Sequence, residues 1–197
     1  MMIIGVTGIS GSGTSTVTQI LAEAGGFVVS ADALSHALMR KGQPCYSEIT
    51  ACFGETIIGT DGEIDRRALG ALVFNDAKRL AMLEAILHPR VIAQTKMLIA
   101  QSQAPFAVID APLLIEANMH TIGDSCWLVT APHDVRICRI MARDHISYEA
   151  AERRLSARKG DAALRPYADV VIENDGDFNQ LRKKTLAALT HCGIVAI

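Results

Sequence analysis

IIGVTGISGSGTST, from Ile3 to Thr16, is the stretch of the sequence that decides its fold. Its apolar start predicts a short buried strand, its glycines predict a turn, and the residues from Ser15 to Ala22 follow a helical pattern. A glycine-rich turn between a strand and a helix offers converging backbone N–H groups and the positive end of the helix dipole. The stretch therefore predicts a site for a phosphorylated ligand.

The turn fits the phosphate-loop template G-x-x-x-x-G-K-[ST] at every defined position except the lysine. Gly8 and Gly13 fall on the two glycines and Ser15 on the hydroxyl residue, whereas Thr14 stands in place of the lysine. We predict that the loop holds nucleotide phosphates and that Ser15 is a magnesium ligand. The predicted nucleotide-binding residues of the loop are Gly8, Gly11, Ser12, Gly13, Thr14, Ser15 and Thr16. A glycine-rich turn that binds nothing is the alternative at this point.

The composition favours one compact α/β domain that acts on a small molecule. The chain has 197 residues, of which 50% are hydrophobic, and a formal net charge of −2. Because basic residues are not in excess, we expect a small phosphorylated ligand and no nucleic acid. The apolar start lacks a basic flank, so we expect no membrane segment and a cytoplasmic protein. The five cysteines form no Cys-x-x-Cys pair, which argues against a zinc site or a disulfide framework.

Two aspartates follow predicted strands. Asp32 comes just after the apolar run Phe27–Val29, and Asp110 ends the apolar run that begins at Phe106. The carboxyl ends of strands form the edge at which α/β sheets bind ligands. Asp32 is therefore a candidate general base, and Asp110 is a candidate for the magnesium shell. For both residues, a cap of the following segment is the alternative role.

Residues 33–100 contain no clear strand and predict a helical excursion from the sheet. Helical patterns cover residues 33–40 and 46–53, and Asp65 is a candidate cap for a helix that ends near residue 74. A further helix begins near residue 75. We expect Pro89 to interrupt it, since proline disfavours helical geometry at the residue before it.

Residues 132–160 carry clustered arginines and predict a lid. Pro132 opens a helix on which Arg136, Arg139 and Arg143 recur at spacings that place all three on one face. A second helix carries four further cations, which are Arg153, Arg154, Arg158 and Lys159. Basic helices of this kind close over a transferring phosphoryl group and exclude water. A solvated helix face is the alternative.

Further strands are predicted at residues 126–130 and 168–172, before a final helix at residues 179–191. At this point the segments together resemble the dephospho-coenzyme A kinase family over nearly the whole chain. Beyond the phosphate loop, the similar segments are Ala31-Asp32, Gly62–Leu69 with Val73-Phe74, Leu87-His88-Pro89, Pro112–Glu116, Arg139 with Arg143-Asp144, and Ala168-Asp169 leading to Asn174. Their common order argues against a chance similarity.

The resemblance implies a three-layer α/β fold of the P-loop kinase type. It has a mostly parallel five-stranded sheet, a helical substrate-binding insertion at residues 33–100 and a lid at residues 132–160, in one domain over residues 1–197. The implied activity is the ATP-dependent phosphorylation of the ribose 3′-hydroxyl of dephospho-coenzyme A (dephospho-CoA), the last step of coenzyme A biosynthesis. ATP and Mg²⁺ are the implied cofactors, and we expect a monomer.

Site residues follow from the same resemblance. Asp32 and Arg139 would be catalytic, Arg143 would bind ATP, and Ser15 and Asp110 would hold magnesium. The residues implied to lie near the acceptor substrate are Asp32, Arg66, His88, Pro112, Leu113 and Glu116.

The chain departs from the family pattern at several positions, which are Thr14, Ser30, Ile9, Ser10 and Arg158. The loss of the loop lysine removes a cation from the γ-phosphate, which would lower the rate by roughly 10²- to 10⁴-fold. We therefore expect reduced activity, and we hypothesise that Arg139, Arg143 or Arg158 supplies the missing charge. Two alternatives stay open: a catalytically silent relative that binds a nucleotide or a coenzyme A-like ligand, and a kinase for another nucleoside-like molecule.

Overall fold

A computed structural model describes residues 1–156 and 160–195. The chain forms two compact units, one made of Met1–Val29 and Ser102–Ile197 and the other of Ser30–Gln101. The strands are β1 (Met2–Gly8), β2 (Phe27–Ser30), β3 (Phe106–Asp110), β4 (Ser125–Thr130) and β5 (Val170–Glu173). The helices are α1 (Thr14–Glu23), α2 (Ala31–Leu38), α3 (Pro44–Phe53), α4 (Arg66–Val73), α5 (Ala77–Gln101), α6 (His133–Asp144), α7 (Tyr148–Ser156), α8 (Asp161–Leu164) and α9 (Phe178–His191).

Among the described residues the strands form one sheet of five in the order β2-β3-β1-β4-β5. β1 is parallel to both β3 and β4, and β4 is parallel to β5. Every residue of β4 is buried, as expected for a strand that is covered on both faces. The predicted mostly parallel five-stranded sheet is thus confirmed. Ligands of such sheets bind at the carboxyl ends of the strands.

The sheet lies between two helical layers. On one face, Ile4, Val108 and Trp127 pack with buried side chains of α1 and α9. On the other face, Leu128 packs with Ile137 and Ile140 of α6, and with α7. Trp127 is fully buried, and its indole N–H donates to Ser125 Oγ at 3.1 Å. This three-layer arrangement places the ends of α1 and α6 beside the carboxyl end of β1.

β5 begins at Val170, two residues later than the predicted strand. Asp169, the residue before β5, still binds β4. Its N–H donates to Cys126 O, and Cys126 N–H donates to Asp169 Oδ2 at 2.7 Å. The carboxylate of Asp169 therefore takes the place of a backbone carbonyl as the acceptor for Cys126 N–H. At the other end of β5 the chain enters a turn that starts with Asn174, before the capping box of Asp177 and Gln180 opens α9.

The second unit contains α2 to α5, and α5 packs against the other three helices. An isolated antiparallel bridge joins Ile58 and Ile64. Asp65 caps α4 as predicted, since its Oδ1 accepts hydrogen bonds from the N–H groups of Arg67 and Ala68 at 2.8 and 3.2 Å.

The predicted interruption of α5 is wrong, because Pro89 lies inside one helix of 25 residues. A proline removes one N–H from the helical ladder. The guanidinium of the next residue, Arg90, donates to Ile86 O at 3.1 Å in the turn that precedes Pro89. The buried side chains of Val91, Thr95 and Ile99 hold the following half of the helix in place.

In the part of the chain that the structure describes, we find no helix with both the length and the apolar character needed to cross a membrane.

Candidate functional site

The phosphate loop connects β1, which ends at Gly8, to α1, which begins at Thr14. Gly11 and Gly13 have φ angles of 81° and 97°, a region that side-chain-bearing residues rarely adopt. A Cβ on Gly8 would lie 2.5 Å from Val129 O and 2.6 Å from Ser12 Oγ. The glycines are therefore required both by the turn and by its close packing.

The N-terminus of α1 presents backbone donors. The N–H groups of Thr16 and Val17 both bond to Gly13 O, at 3.1 and 3.2 Å. The N–H groups of Thr14 and Ser15 precede the first full turn and have no intrahelical acceptor. Together with the positive end of the helix dipole they favour an anion at this position.

Two hydroxyl groups of the loop differ in their surroundings. Ser12 is fully buried, and its Oγ has no hydrogen-bond partner among the residues that the structure describes. Ser15 is exposed in the first turn of α1, which leaves its hydroxyl accessible to a metal ion or a ligand. The structure thus supports Ser15, and not Ser12, as the accessible hydroxyl of the loop.

Thr14 fills part of the loop with a neutral side chain. Its Cγ2 lies 3.0 Å from the position that a Cβ on Gly8 would occupy. The sequence from Gly8 to Thr16 contains no ionisable side chain. The loop therefore offers an anion backbone donors but no charged side chain.

Arg139 of α6 brings a guanidinium to the loop. Its Nη1 donates to Gly11 O at 3.1 Å and to Ser12 O at 3.4 Å, and its Nη2 donates to Asn174 Oδ1 at 3.3 Å. Asn174 in turn donates from Nδ2 to Ser12 O at 2.8 Å. These bonds join α6, the loop and the segment after β5 into one network.

Arg143, one turn further along α6, has a different environment. Its Nε and Nη2 donate to the two carboxylate oxygens of Asp144 at 2.8 and 2.9 Å. Arg154 of α7 binds the same carboxylate, and Arg143 Nη2 reaches Ser10 Oγ at 3.3 Å. The hydrogen bond from Arg143 lowers the pKa of Asp144, and the same bond raises the pKa of Arg143. Arg143 thus contacts the loop while its charge is paired with the carboxylate of Asp144.

Arg136, the third arginine on this face, pairs with Asp161 at 3.3 Å. The predicted cations Arg158 and Lys159 lie outside the described residues. The hypothesis that Arg158 supplies the missing charge stays a prediction.

The predicted magnesium residue ends β3, and three predicted acceptor residues lie in the segment that follows. Asp110 is the last residue of β3 and pairs in register with Val6. Thr7 Oγ1 donates to Pro112 O at 3.2 Å, which fixes the following turn to β1. Leu113 and Glu116 are exposed on this turn.

Asp32 lies in the second unit, in the first turn of α2. The helix cap is Ser30, whose Oγ accepts from Ala33 N at 3.3 Å. The alternative role of Asp32 as the N-cap is therefore excluded, and its carboxylate is exposed. Ser30, which departs from the family pattern, has a structural role in this chain.

A cavity of about 290 Å³ lies in the same unit. Its lining residues are His36, Met39, Arg40, Glu63, Ile64 and Arg66. Burial and the nearby Arg66 lower the pKa of His36, and the carboxylate of Asp32 partly opposes them. Asp32 and His36 are four residues apart and share one face of α2. The predicted acceptor residue Arg66 lines this cavity, whereas His88 is half-buried on α5 and does not.

Sequence reasoning missed three polar residues of these sites. Asn174 comes directly after β5, at the same edge of the sheet as Asp110, but its sequence context predicts only a turn. His36 could have been found from its i, i+4 spacing to Asp32. Asp144 follows Arg143 directly, and nothing in the sequence pattern shows that it pairs with Arg154.

Comparisons with known proteins agree with one another. The dephospho-CoA kinase family model matches residues 2–180. The chain is 41% identical to the dephospho-CoA kinase of Moorella thermoacetica over 192 residues, which are 95% of this chain and 91% of that protein. It is 38% identical to the dephospho-CoA kinase of Geobacter sulfurreducens over 187 residues, 93% and 95% of the two chains.

The solved structures that resemble this chain include a dephospho-CoA kinase. The structure of TT1252 from Thermus thermophilus matches with a TM-score of 0.87 at 34% identity and covers 98% of both chains. Dephospho-CoA kinase from Campylobacter jejuni matches with a TM-score of 0.67 at 26% identity and covers 96% of both chains. A shikimate kinase from Acinetobacter baumannii matches with a TM-score of 0.58 at 16% identity and covers 99% of this chain and 96% of its own, a likeness in fold alone.

Proposed function

The chain belongs to the dephospho-CoA kinase family, and we propose that it transfers the γ-phosphoryl group of ATP to the ribose 3′-hydroxyl of dephospho-CoA. The match across residues 2–180 carries this proposal, because a phosphate-loop fold alone does not fix the acceptor. The loop supports the proposal, since the N–H groups of Thr14 and Ser15 at the start of α1 can donate hydrogen bonds to an anion.

ATP and magnesium fit the residues of the first unit. The glycine turn, shaped by Gly8, Gly11 and Gly13, and the start of α1, which includes Thr16, would hold the nucleotide phosphates. The exposed Ser15 hydroxyl would bind magnesium, and Asp110 at the end of β3 would act on the ion directly or through water. When bound, magnesium supplies positive charge to the β- and γ-phosphates.

Asp32 is the proposed general base. Its carboxylate is exposed and is not used as a helix cap, which leaves it available to accept the proton of the acceptor hydroxyl. Arg66 and the cavity that it lines supply a positive charge for the acceptor's phosphate groups. His88, Pro112, Leu113 and Glu116 remain proposed acceptor residues through the family resemblance.

Arg139 and Arg143 are proposed to act on the nucleotide, on its phosphates or on its adenine. Both side chains contact the loop, Arg139 through backbone carbonyls and Arg143 through Ser10 Oγ. The lid at residues 132–160, a cytoplasmic location, a monomeric state and reduced activity through Thr14 belong to the same proposal.

A direct test is the formation of coenzyme A from dephospho-CoA and magnesium-ATP, followed by mass spectrometry together with ADP release. We expect product from the natural chain. Replacing the base by Asp32→Asn should lower kcat by about 10²- to 10⁴-fold. The control is Glu55→Gln, an exposed carboxylate of the same unit, which should leave kcat unchanged. Turnover that survives Asp32→Asn contradicts the assignment of the base.

The second function to consider is that of a silent relative that binds nucleotide without transferring phosphate. The neutral Thr14 in the lysine position is the observation that favours it. It predicts that the natural chain binds ATP but forms no coenzyme A, whereas Thr14→Lys turns over. Product from the natural chain excludes this function.

A further inference from the structure

We infer that Asn174 is a positioning residue that fixes the guanidinium of Arg139 at the phosphate loop, where its charge takes the role of the lysine that Thr14 replaces. The inference rests on the proposed function. It assigns a role to a residue outside the phosphate loop and makes the departure at Thr14 compatible with catalysis.

The first observation is the kind of partner that Arg139 has. Its three hydrogen bonds go to neutral acceptors, the carbonyls of Gly11 and Ser12 and the amide oxygen of Asn174. No ion pair of Arg139 occurs within residues 1–156 and 160–195. Its positive charge is therefore not cancelled by a protein carboxylate and is available to a bound polyphosphate.

Arg143 contrasts with Arg139 on the same helix. The two oxygens of Asp144 bind its guanidinium in a fork, and its side chain is 60% exposed. A charge that is paired and solvated in this way stabilises an incoming phosphate less than an unpaired, half-buried charge. The structure thus favours Arg139 over Arg143 as the cation of the loop.

Asn174 bridges Arg139 and the loop through the two ends of its amide. The residue is 4% exposed, its Oδ1 accepts from Arg139 Nη2, and its Nδ2 donates to Ser12 O. Its backbone N–H donates to Thr130 O at 2.7 Å, so the residue is anchored to the end of β4. A buried amide with donor and acceptor both satisfied has one orientation, and it transmits that orientation to the guanidinium.

The loop is shaped to admit this amide. A Cβ on Gly13 would lie 2.2 Å from Asn174 Nδ2 and 3.6 Å from Arg139 Nη1. Gly13 therefore serves two purposes, since it permits the positive φ angle before α1 and also lets Asn174 and Arg139 approach the loop. An asparagine suits this position because an aspartate would neutralise the charge that it positions.

The test measures kcat and KM in two backgrounds, the natural chain and Thr14→Lys. In the natural chain we expect Arg139→Ala to lower kcat by about 10²- to 10³-fold. Asn174→Ala and Asn174→Asp should each lower kcat by about tenfold or more, with KM for dephospho-CoA unchanged. In the Thr14→Lys background the loop has its own cation, so the loss from either Asn174 variant should shrink to about threefold or less.

The matched control for the amide is Asn179→Ala, an exposed asparagine of α9. The control for the charge is Arg182→Ala, whose partner is Glu23 on the surface. A purely structural role of Asn174 predicts the same loss in both backgrounds, and this result would overturn the inference. The retention of full kcat in Asn174→Asp would overturn it as well.

Binding separates this inference from the proposed function. A non-hydrolysable ATP analogue with magnesium is titrated into the same variants, without any acceptor. Arg139→Ala and Asn174→Ala should weaken binding in the natural chain and do so much less in Thr14→Lys. This pattern without coenzyme A formation leaves the inference standing and rejects the proposed acceptor. The same affinity for the analogue in all variants overturns the inference even if the enzyme is active.

Discussion

The phosphate loop of the first unit and the cavity of the second unit use different parts of the polypeptide. The loop presents backbone N–H groups, held by glycines with positive φ angles and by close packing. The cavity is lined by residues of α2, of the segments after α2 and before α4, and of α4, among them Arg40, Glu63 and Arg66. The proposed nucleotide site thus depends on main-chain geometry, whereas the proposed acceptor site depends on side-chain charge.

This difference explains how the loop can lack its lysine and keep its shape. The turn is set by Gly8, Gly11 and Gly13, and among residues 1–156 and 160–195 no lysine side chain contributes a hydrogen bond that holds it. Charge and geometry are separate contributions in the loop, which is why we propose that Arg139 supplies the charge from another helix. In the cavity, by contrast, the same side chains provide both the charge and the shape.

The largest effect on ATP binding is expected from a change of geometry in the loop. Gly13→Ala would force a methyl group to within 2.2 Å of Asn174 Nδ2 at a φ angle of 97°. We expect the affinity for magnesium-ATP to fall by about 10²-fold or more, measured by calorimetry. Gly42→Ala is the matched control, because Gly42 has a φ angle of 82° with open space around it. It should cost about 1 kcal/mol of unfolding free energy and leave ATP binding intact. Equal ATP affinity in both variants would contradict the geometric account.

The next effect concerns charge in the cavity. Arg66→Ala should raise KM for dephospho-CoA by about tenfold, because a charge-assisted contact to the acceptor is lost, and leave KM for ATP unchanged. The neighbouring Arg67→Ala is the control, since Arg67 is equally exposed but does not line the cavity. Steady-state kinetics with each substrate varied in turn make the measurement. If Arg66→Ala changed KM for ATP alone, the assignment of the cavity to the acceptor would be contradicted.

A smaller effect is expected at the ion pair of the lid helices. Asp144→Asn removes the carboxylate that binds Arg143 and Arg154. We expect kcat to change by no more than about threefold, because exposed ion pairs contribute little. Arg139→Ala, by contrast, should lose far more. A loss as large as that of Arg139→Ala would mean that Arg143, held by Asp144, is the cation of the loop.

The smallest effect is a pH dependence of stability. Burial and Arg66 lower the pKa of His36 in the folded protein. The unfolded chain therefore binds the proton more readily, and the free energy of unfolding falls as the pH drops from about 7 through the ordinary histidine pKa near 6.5. His36→Gln should reduce this fall in chemical unfolding measured at pH 7.5 and pH 5.5. His191→Gln, at the end of α9, is the control. An unchanged pH profile in His36→Gln would contradict the assignment.

The sequence predicted the features that local patterns determine. The strand, glycine turn and helix from Ile3 to Ala22, the cap at Asp65 and the arginine-bearing helix α6 all follow from spacing and residue type within about twenty positions. Pro89 was misjudged because tertiary packing on α2, α3 and α4 outweighs one missing hydrogen bond.

Residues that act through distant partners were not predictable in this way. Asn174 binds Ser12 across 162 positions of sequence, and Arg139 binds Gly11 across 128. The pattern offered Asp32 as a cap of α2, and the hydrogen bond from Ala33 N shows that the cap is Ser30. Charge partners are set by the fold, so the choice between Arg139 and Arg143 needed the structure.

The most direct test of the central claim is coenzyme A formation by the natural chain, with Thr14 in place, compared with Arg139→Ala under saturating magnesium-ATP and dephospho-CoA. We expect one ADP and one 3′-phosphorylated product per turnover from the natural chain, and a loss of about 10²-fold or more in Arg139→Ala. No product from the natural chain, with turnover restored only by Thr14→Lys, would contradict the claim that this member of the family is a working kinase.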